Sequence, residues 1–234
     1  MHIAYFIYTG SPTVLMLKCI ESLRRYSDCR IIFYTDDLFP REFFQRIEFL
    51  SLDDRWPNRR MTHRMELTLE LPVEEDDQIL VLDLDLIFQD NPFQVFDEDF
   101  DFFHTTRHFK SNYRVNGGVW GFRNNPRSRK LLRFMVDQAK IPTWAPYTAF
   151  REKFRIFDDR GLDWWVDQDL LCVLSENTPP MKVSIHDAGW KYNLCPPSGG
   201  GISLTSEGLR EFYKMSSESV VLHYKELKSM LPLL

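Results

Sequence analysis

The sequence predicts an α/β fold built around a mostly parallel sheet, and three observations predict it. Short aliphatic runs alternate with stretches at helical spacing through the first half of the chain. The run Gln78-Ile79-Leu80-Val81-Leu82 carries four large aliphatics in five residues, as a strand buried on both faces of a parallel sheet does. Acidic residues and glycines follow the aliphatic runs, where open α/β sheets gather their ligands.

Residues 3–8 (Ile-Ala-Tyr-Phe-Ile-Tyr) read as a buried strand, and Thr9-Gly10-Ser11-Pro12 offers a turn, an N-cap and a first-turn proline. A helix from about Pro12 to Tyr26 comes next. Arg30 to Thr35 form a second strand closing on Asp36-Asp37, Pro40 opens another helix, and Phe49 to Leu52 make a short third strand. Met61, Met65, Thr68 and Leu69 stand at helical spacing before the Gln78–Leu82 strand. The second half reads as mixed α+β. Strands at Phe100–Thr105 and Val115–Phe122 flank the basic stretch from His108 to Arg114, and a helix spans about Pro126 to Ala139. A loop broken by Pro142 and Pro146, a helix from about Trp165 to Leu174, a flexible loop Pro196–Gly201, a helix Ser206–Met215 and a strand Val220–Tyr224 complete the order. The expectation is one domain over residues 1–234, in two halves, 1–90 and 91–234.

Composition narrows the classes of function. With 44% hydrophobic and 27% charged residues the chain can bury a core, and its net charge of −5 opposes a general nucleic-acid binder. Cys19, Cys29, Cys172 and Cys195 form no close pair, which disfavours structural zinc and suits a reducing, cytoplasmic setting. No apolar run reaches the roughly 20 residues of a membrane span, and a strand starting at Ile3 leaves no room for a signal peptide. A chain that had lost an amino-terminal anchor would look the same and would fit the Golgi lumen. The apolar tail Met230–Leu234 is suited only to peripheral membrane contact.

The chemistry centres on Asp83-Leu84-Asp85, directly after the aliphatic strand. In extended chain these two carboxylates point the same way, repel each other, and are relieved by a hard divalent cation. The plainer reading has Asp83 starting a solvated turn and Asp85 capping the next element of the chain. Against it, Glu74-Glu75-Asp76-Asp77 already supplies a polar turn before the strand. Further polar groups stand at Arg60 and Arg64, Asn116-Gly117-Gly118, Asp167-Gln168-Asp169, and His223 with Lys225 and Lys228. Each has a structural alternative: surface arginines, a bulge, acids favoured by a helix dipole, and a core histidine. The basic run from Arg107 to Lys110 with Arg114, and Arg123 with Arg127–Lys130, reads as a solvated face.

In that order, an aliphatic strand entering Asp-x-Asp, then Asn-Gly-Gly, Asp-Gln-Asp-Leu-Leu and Val-Leu-His-Tyr, the chain resembles the GT-A glycosyltransferases, most closely glycosyltransferase family 8. The resemblance implies a GT-A fold and transfer of a sugar from a nucleotide-sugar, typically UDP-linked, to an acceptor hydroxyl. It implies that Asp83, Asp85 and His223 hold manganese or magnesium against the diphosphate, with imidazole leaning toward manganese. Arg64, and more weakly Arg60, match the arginine that reaches the donor, and Asn116, Gly117 and Gly118 match the lining of the sugar pocket. Asp167, Gln168 and Asp169 match the reacting segment: Gln168 faces the anomeric carbon if configuration is retained, and Asp167 or Asp169 serves as general base if it is inverted. Lys225 and Lys228 would reach phosphates. The family's tail motif has a glycine that is absent after His223, and Lys228 falls one place early. The first strand ends in Tyr8-Thr9 without the acid often used on uracil, which leaves Asp36 to take that place.

Two rival readings stand beside this one. A phosphatase of the haloacid dehalogenase type would use Asp83 as nucleophile, but its motif normally comes after the first strand and wants Thr or Val where Ile87 stands. A catalytically silent GT-A domain that binds glycans or scaffolds a partner would keep the same fold.

Overall fold

The computed structural model describes residues 1–9, 13–36, 41, 44–54, 60–109, 113–154, 166–195 and 206–224, without the side chains of 206–209 and 211. The elements run β1 (His2–Tyr8), α1 (Val14–Tyr26), β2 (Arg30–Thr35), β3 (Ile47–Ser51), α2 (Arg60–Glu70), β4 (Gln78–Leu82), β5 (Leu86–Phe88), β6 (Phe102–Thr106) and β7 (Val115–Arg123). They continue as α3 (Pro126–Lys140), α4 (Ala145–Phe154), α5 (Val166–Glu176), β8 (Ile185–Asp187), α6 (Ser206–Ser216) and β9 (Val221–His223), with 3-10 turns at Pro92–Asp97 and Trp190–Tyr192.

Among the described residues seven strands form one sheet in the order β3-β2-β1-β4-β7-β6-β8, and β5 pairs with β9 in a separate antiparallel ribbon. The sheet is mostly parallel, and β7 alone among its described strands runs against its neighbours. The aliphatic run of β4 predicts parallel partners on both of its sides. It has one, β1, while β7 lies antiparallel on the other side, with Leu82 opposite Val119. That reversal matters for function, because it carries the amino end of β7 to the carboxyl end of β4.

Strand alternation separates two apolar layers. Ile3, Tyr5, Ile79, Val81, Trp120 and Phe122 face the layer that receives α2, α3 and α5, whereas Ala4, Phe6, Leu80, Leu82 and Val119 face the layer that receives α1. Both sides are covered, so these strands read as unbroken aliphatic and aromatic runs. The basic cluster is largely structural: Arg123 Nε donates to the Phe100 carbonyl at 3.1 Å, and Arg127 pairs with Asp101 at 2.7 Å.

Local departures from expectation have simple causes. Helix α1 starts at Val14, and its cap is Thr13, whose hydroxyl accepts from the Met16 amide at 3.2 Å, so Ser11 and Pro12 are not its cap and first turn. Pro146 does not break a loop; it sits in the first turn of α4, where its missing N–H costs nothing. The short strands β5 and β8, three residues each, are below what hydrophobic periodicity can register. The expected helix at Pro40 and loop at Pro196–Gly201 lie outside the described residues. Among the described residues no helix is long and apolar enough to cross a membrane.

Gly121 is where β7 presses closest on its surroundings: a Cβ there would lie 2.3 Å from the Ile79 carbonyl oxygen and 2.6 Å from Phe103. Backbone in the middle of a sheet cannot retreat, so Gly121→Ala is expected to destabilise the protein by roughly 3 kcal/mol, at the upper end of overpacking costs. Urea unfolding measures this, and an unchanged midpoint would show that the β4–β7 seam has slack.

Candidate functional site

Asp83 and Asp85 come after β4 at the carboxyl edge of the sheet. The Asp83 amide donates to the Gly118 carbonyl at 2.9 Å, which extends the β4–β7 pairing by one step and sets Asp83 beside the Asn116–Gly118 backbone. Chain direction then turns into β5, where Leu86 pairs with His223 of β9. The His223 amide donates to the Leu194 carbonyl at 2.8 Å and the Tyr224 amide to the Asp85 carbonyl at 2.8 Å. His223 is thus pinned by main chain on both sides.

The three candidate ligands converge. His223 Nε2 lies 3.1 Å from Asp85 Oδ1 and 3.8 Å from Asp83 Oδ2. One ligand atom from each of the three residues falls within 4.8 Å of the others. The ring of His223 is fully buried, while the side chains of Asp83 and Asp85 are 29% and 15% exposed, so the cluster opens to solvent through its carboxylates. His223 Nε2 is buried and makes no hydrogen bond despite its nearness to Asp85. A buried imidazole nitrogen without a hydrogen bond, beside two carboxylates, fits an oxygen- and nitrogen-liking divalent ion.

Glycine makes this approach possible. A Cβ on Gly118 would stand 2.4 Å from His223 Cε1, 2.7 Å from its Nδ1 and 3.1 Å from Asp83 Oδ2. No side chain fits between the ring and the β7 backbone. Next to it, the Gly117 amide donates to Gln168 Oε1 at 3.2 Å, and a Cβ on Gly117 would meet Gln168 at 3.4 Å.

Arg64 ties the carboxylates together from α2. Its Nη1 lies 3.1 Å from Asp83 Oδ1 and 3.5 Å from Asp167 Oδ2, and its side chain is 8% exposed. Burial works to lower the guanidinium's pKa, but the charges of Asp83 and Asp167 outweigh it and raise the value above the ordinary one. Arg64 Nη2 is buried without a hydrogen-bond partner. On α5, Asp167 also accepts from the Gln168 amide at 2.7 Å, and Gln168 Nε2 is buried with its hydrogens undonated.

The structure therefore assembles Asp83, Asp85, His223, Arg64, Asn116, Gly117, Gly118, Asp167 and Gln168. Asp169 stands two residues from Asp167 on α5, and positions so spaced do not share a helix face. Arg60 is exposed one turn before Arg64 on α2. Tyr8, Thr9 and Asp36 stand at the carboxyl ends of β1 and β2, the same sheet edge as Asp83, with Tyr8 opposite Thr35. Lys225 and Lys228 lie outside the described residues.

Sequence reasoning missed Asn193. Its amide reaches His223 Nδ1 at 2.9 Å and Thr105 Oγ1 at 2.8 Å. A lone amide between Tyr192 and Leu194-Cys195 was the available signal, but no spacing links it to a histidine 30 positions on.

Comparisons with known proteins point the same way. Residues 58–148 match the family model of nucleotide-diphospho-sugar transferases. No curated protein matches the chain significantly. Among solved structures, the glycosyltransferase GlyE of Streptococcus pneumoniae TIGR4 is 16% identical with a TM-score of 0.58, over 96% of this chain and 55% of that one. The galactosyltransferase LgtC, solved with donor and acceptor sugar analogs, is 15% identical with a TM-score of 0.56, over 96% of this chain and 87% of that one. Mouse xyloside xylosyltransferase 1 is 13% identical with a TM-score of 0.60, over 97% and 98% of the two chains. The chain spans about half the length of GlyE. At such identities the likeness speaks to fold, and the fold is GT-A.

Arg64 holds Asp83 and Asp167 in one place, so its removal leaves two neighbouring carboxylates without the guanidinium between them. Arg64→Met is expected to cost roughly 3 kcal/mol in chelator-treated protein, the low end for a broken buried pair because Asp83 keeps some solvent. A loss below about 1 kcal/mol in urea unfolding would place Arg64 among ordinary surface charges.

Proposed function

We propose that the protein is a metal-dependent glycosyltransferase that moves a sugar from a nucleotide-sugar, uridine-linked, to an acceptor hydroxyl. The observation that carries this reading is the convergence of Asp83, Asp85 and a hydrogen-bond-free His223 Nε2 within 4.8 Å at the carboxyl edge of a GT-A sheet. Two carboxylates and an imidazole suit manganese over magnesium. When bound, such an ion neutralises the charge that builds on the departing diphosphate.

The chain's own residues supply the rest. Residues 1–90 would receive the nucleotide, with Tyr8, Thr9 and Asp36 at the base edge and Arg60 at the approach, and residues 91–234 would receive the sugar and acceptor. Arg64 offers the hydrogens of Nη2 to the donor while its other nitrogen keeps Asp83 in place. Lys225 and Lys228 would meet phosphate oxygens. Asn116, Gly117 and Gly118 let the sugar approach bare backbone.

Retention of configuration accords best with α5. Gln168 is anchored through Oε1 to the Gly117 amide, which leaves Nε2 as a fixed donor dipole beside the cation site. Asp167, the other candidate for a general base, is engaged by Arg64 at 3.5 Å and by the Gln168 amide at 2.7 Å. Asp169 stands off the helix face that carries Asp167. A haloacid dehalogenase mechanism is disfavoured on the same grounds: Asp83 is held by Arg64 and comes after the fourth strand. Cys19, Cys29, Cys172 and Cys195 form no disulfide, which supports a reducing, cytoplasmic setting.

Incubation with labelled nucleotide-sugars and manganese tests the reading, with hydrolysis or transfer expected to vanish on chelation. Asp85→Asn is expected to lower turnover on the order of 100-fold or more. Its melting temperature should stay within about 3 °C of the parent, equivalent to about 1 kcal/mol for a chain of this size. Silence of the parent protein with every donor would favour the binding-module alternative, and full turnover by Asp85→Asn would remove the cation from the chemistry.

A further inference from the structure

We propose that Asn193 is a positioning residue that fixes the tautomer of His223, so that the ring carries its hydrogen on Nδ1 and turns a bare Nε2 toward Asp83 and Asp85. The consequence for cation binding rests on the metal reading above; the tautomer itself does not.

The argument is one of donors and acceptors. Asn193 is fully buried, and its Nδ2 donates to Thr105 Oγ1 at 2.8 Å and to the Asn116 carbonyl at 3.2 Å. A carbonyl can only accept. The Thr105 hydroxyl has one hydrogen, which lies within reach of the Val119 carbonyl at 2.8 Å and the Asn116 carbonyl at 3.1 Å, so toward Asn193 it accepts. Both contacts demand an N–H from Asn193, and this orients the amide with Oδ1 against His223 Nδ1 at 2.9 Å. An amide oxygen has no hydrogen to give, so Nδ1 must supply it, and the neutral imidazole then keeps its lone pair on Nε2.

The opposite tautomer has its own supporters, which is why a positioning residue is needed. A hydrogen on Nε2 would face Asp85 Oδ1 at 3.1 Å and could tie up two of the three ligands in a hydrogen bond. Asn116 Nδ2 stands 3.3 Å from the same Nδ1 and would favour a lone pair there, its own amide being oriented by the Gly118 N–H at 3.2 Å on Oδ1. Asn193 prevails by its shorter contact and its two anchoring bonds. A second-layer acceptor on the far nitrogen is how ligand histidines are generally oriented.

Long-range proton–nitrogen correlation NMR on chelator-treated protein reads the tautomer directly. The ring signals of His223 are assigned, among six histidines, by their loss in His223→Gln. The wild-type spectrum is expected to show a protonated Nδ1 and an unprotonated Nε2. Asn193→Ala is expected to move the hydrogen to Nε2 and to weaken manganese binding, measured by calorimetry, on the order of 10- to 100-fold. With the pH raised until the ring is neutral, a hydrogen on Nε2 in the wild type overturns the proposal, as does a folded Asn193→Ala with unchanged tautomer and affinity; if that variant does not fold, the wild-type spectrum decides. A protonated Nδ1 in a wild type that binds no manganese upholds the tautomer and removes the cation reading instead.

Discussion

The close passage of the His223 ring over the backbone of Gly118 is the constraint on which the site depends. With a Cβ at position 118 the ring would be blocked at 2.4 Å, and the imidazole, the last strand and the carboxylates could not share one small volume. Three chain segments distant in sequence must arrive there together. Strand β4 brings Asp83, the reversed strand β7 brings Gly118, and the β5–β9 ribbon brings His223. Reversal of β7 is the decisive topological step, since a parallel strand in that place would present its amino end, and with it Asn116 and the glycines, at the opposite edge of the sheet.

Charge completes the logic. Arg64 pairs with Asp83 and Asp167 while Asp85 stands against the buried ring of His223, so an excess of carboxylate gathers in a partly buried cluster. Burial raises the cost of such an excess, and a divalent cation cancels it. Donors without acceptors, at Arg64 Nη2 and Gln168 Nε2, line the same region and have anionic or hydroxyl oxygens as their natural complement. On the proposed reading, a site that gathers carboxylates and unused N–H groups would be matched by a cation together with a polyoxygen ligand such as a sugar diphosphate.

Much of this was legible in the amino-acid order, and the limits have physical reasons. The β4 strand announced itself because both faces are covered, so every position from Ile79 to Leu82 had to be apolar. Asp83 and Asp85 stood out because polarity resumed abruptly at its end. Helix α1 was legible in extent but not in its cap, because Ser11, Pro12 and Thr13 all have capping or first-turn chemistry and only backbone geometry chooses Thr13. Direction of β7 was hidden: an aliphatic and aromatic run looks alike in either orientation. Asn193 was hidden more deeply. A side chain that acts through hydrogen bonds to another, across 30 residues, leaves no periodicity, and its meaning appears only when the amide's two ends are seen to be unequal.

Arg64 gives the site its internal communication. One guanidinium serves both Asp83, on the cation side, and Asp167, on the helix that carries Gln168. On the reading proposed above, a divalent ion drawn to Asp83 would compete for the same carboxylate and loosen the claim of Arg64 there. The guanidinium would then be freer to lean on Asp167 or to turn Nη2 toward a phosphate, next to Gln168 on α5. Cation binding and the placement of Gln168 would in this way be linked by competition for one guanidinium, and such linkage is reciprocal: a ligand that drew Arg64 away from Asp83 would strengthen the cation's hold, as the cation would strengthen the ligand's.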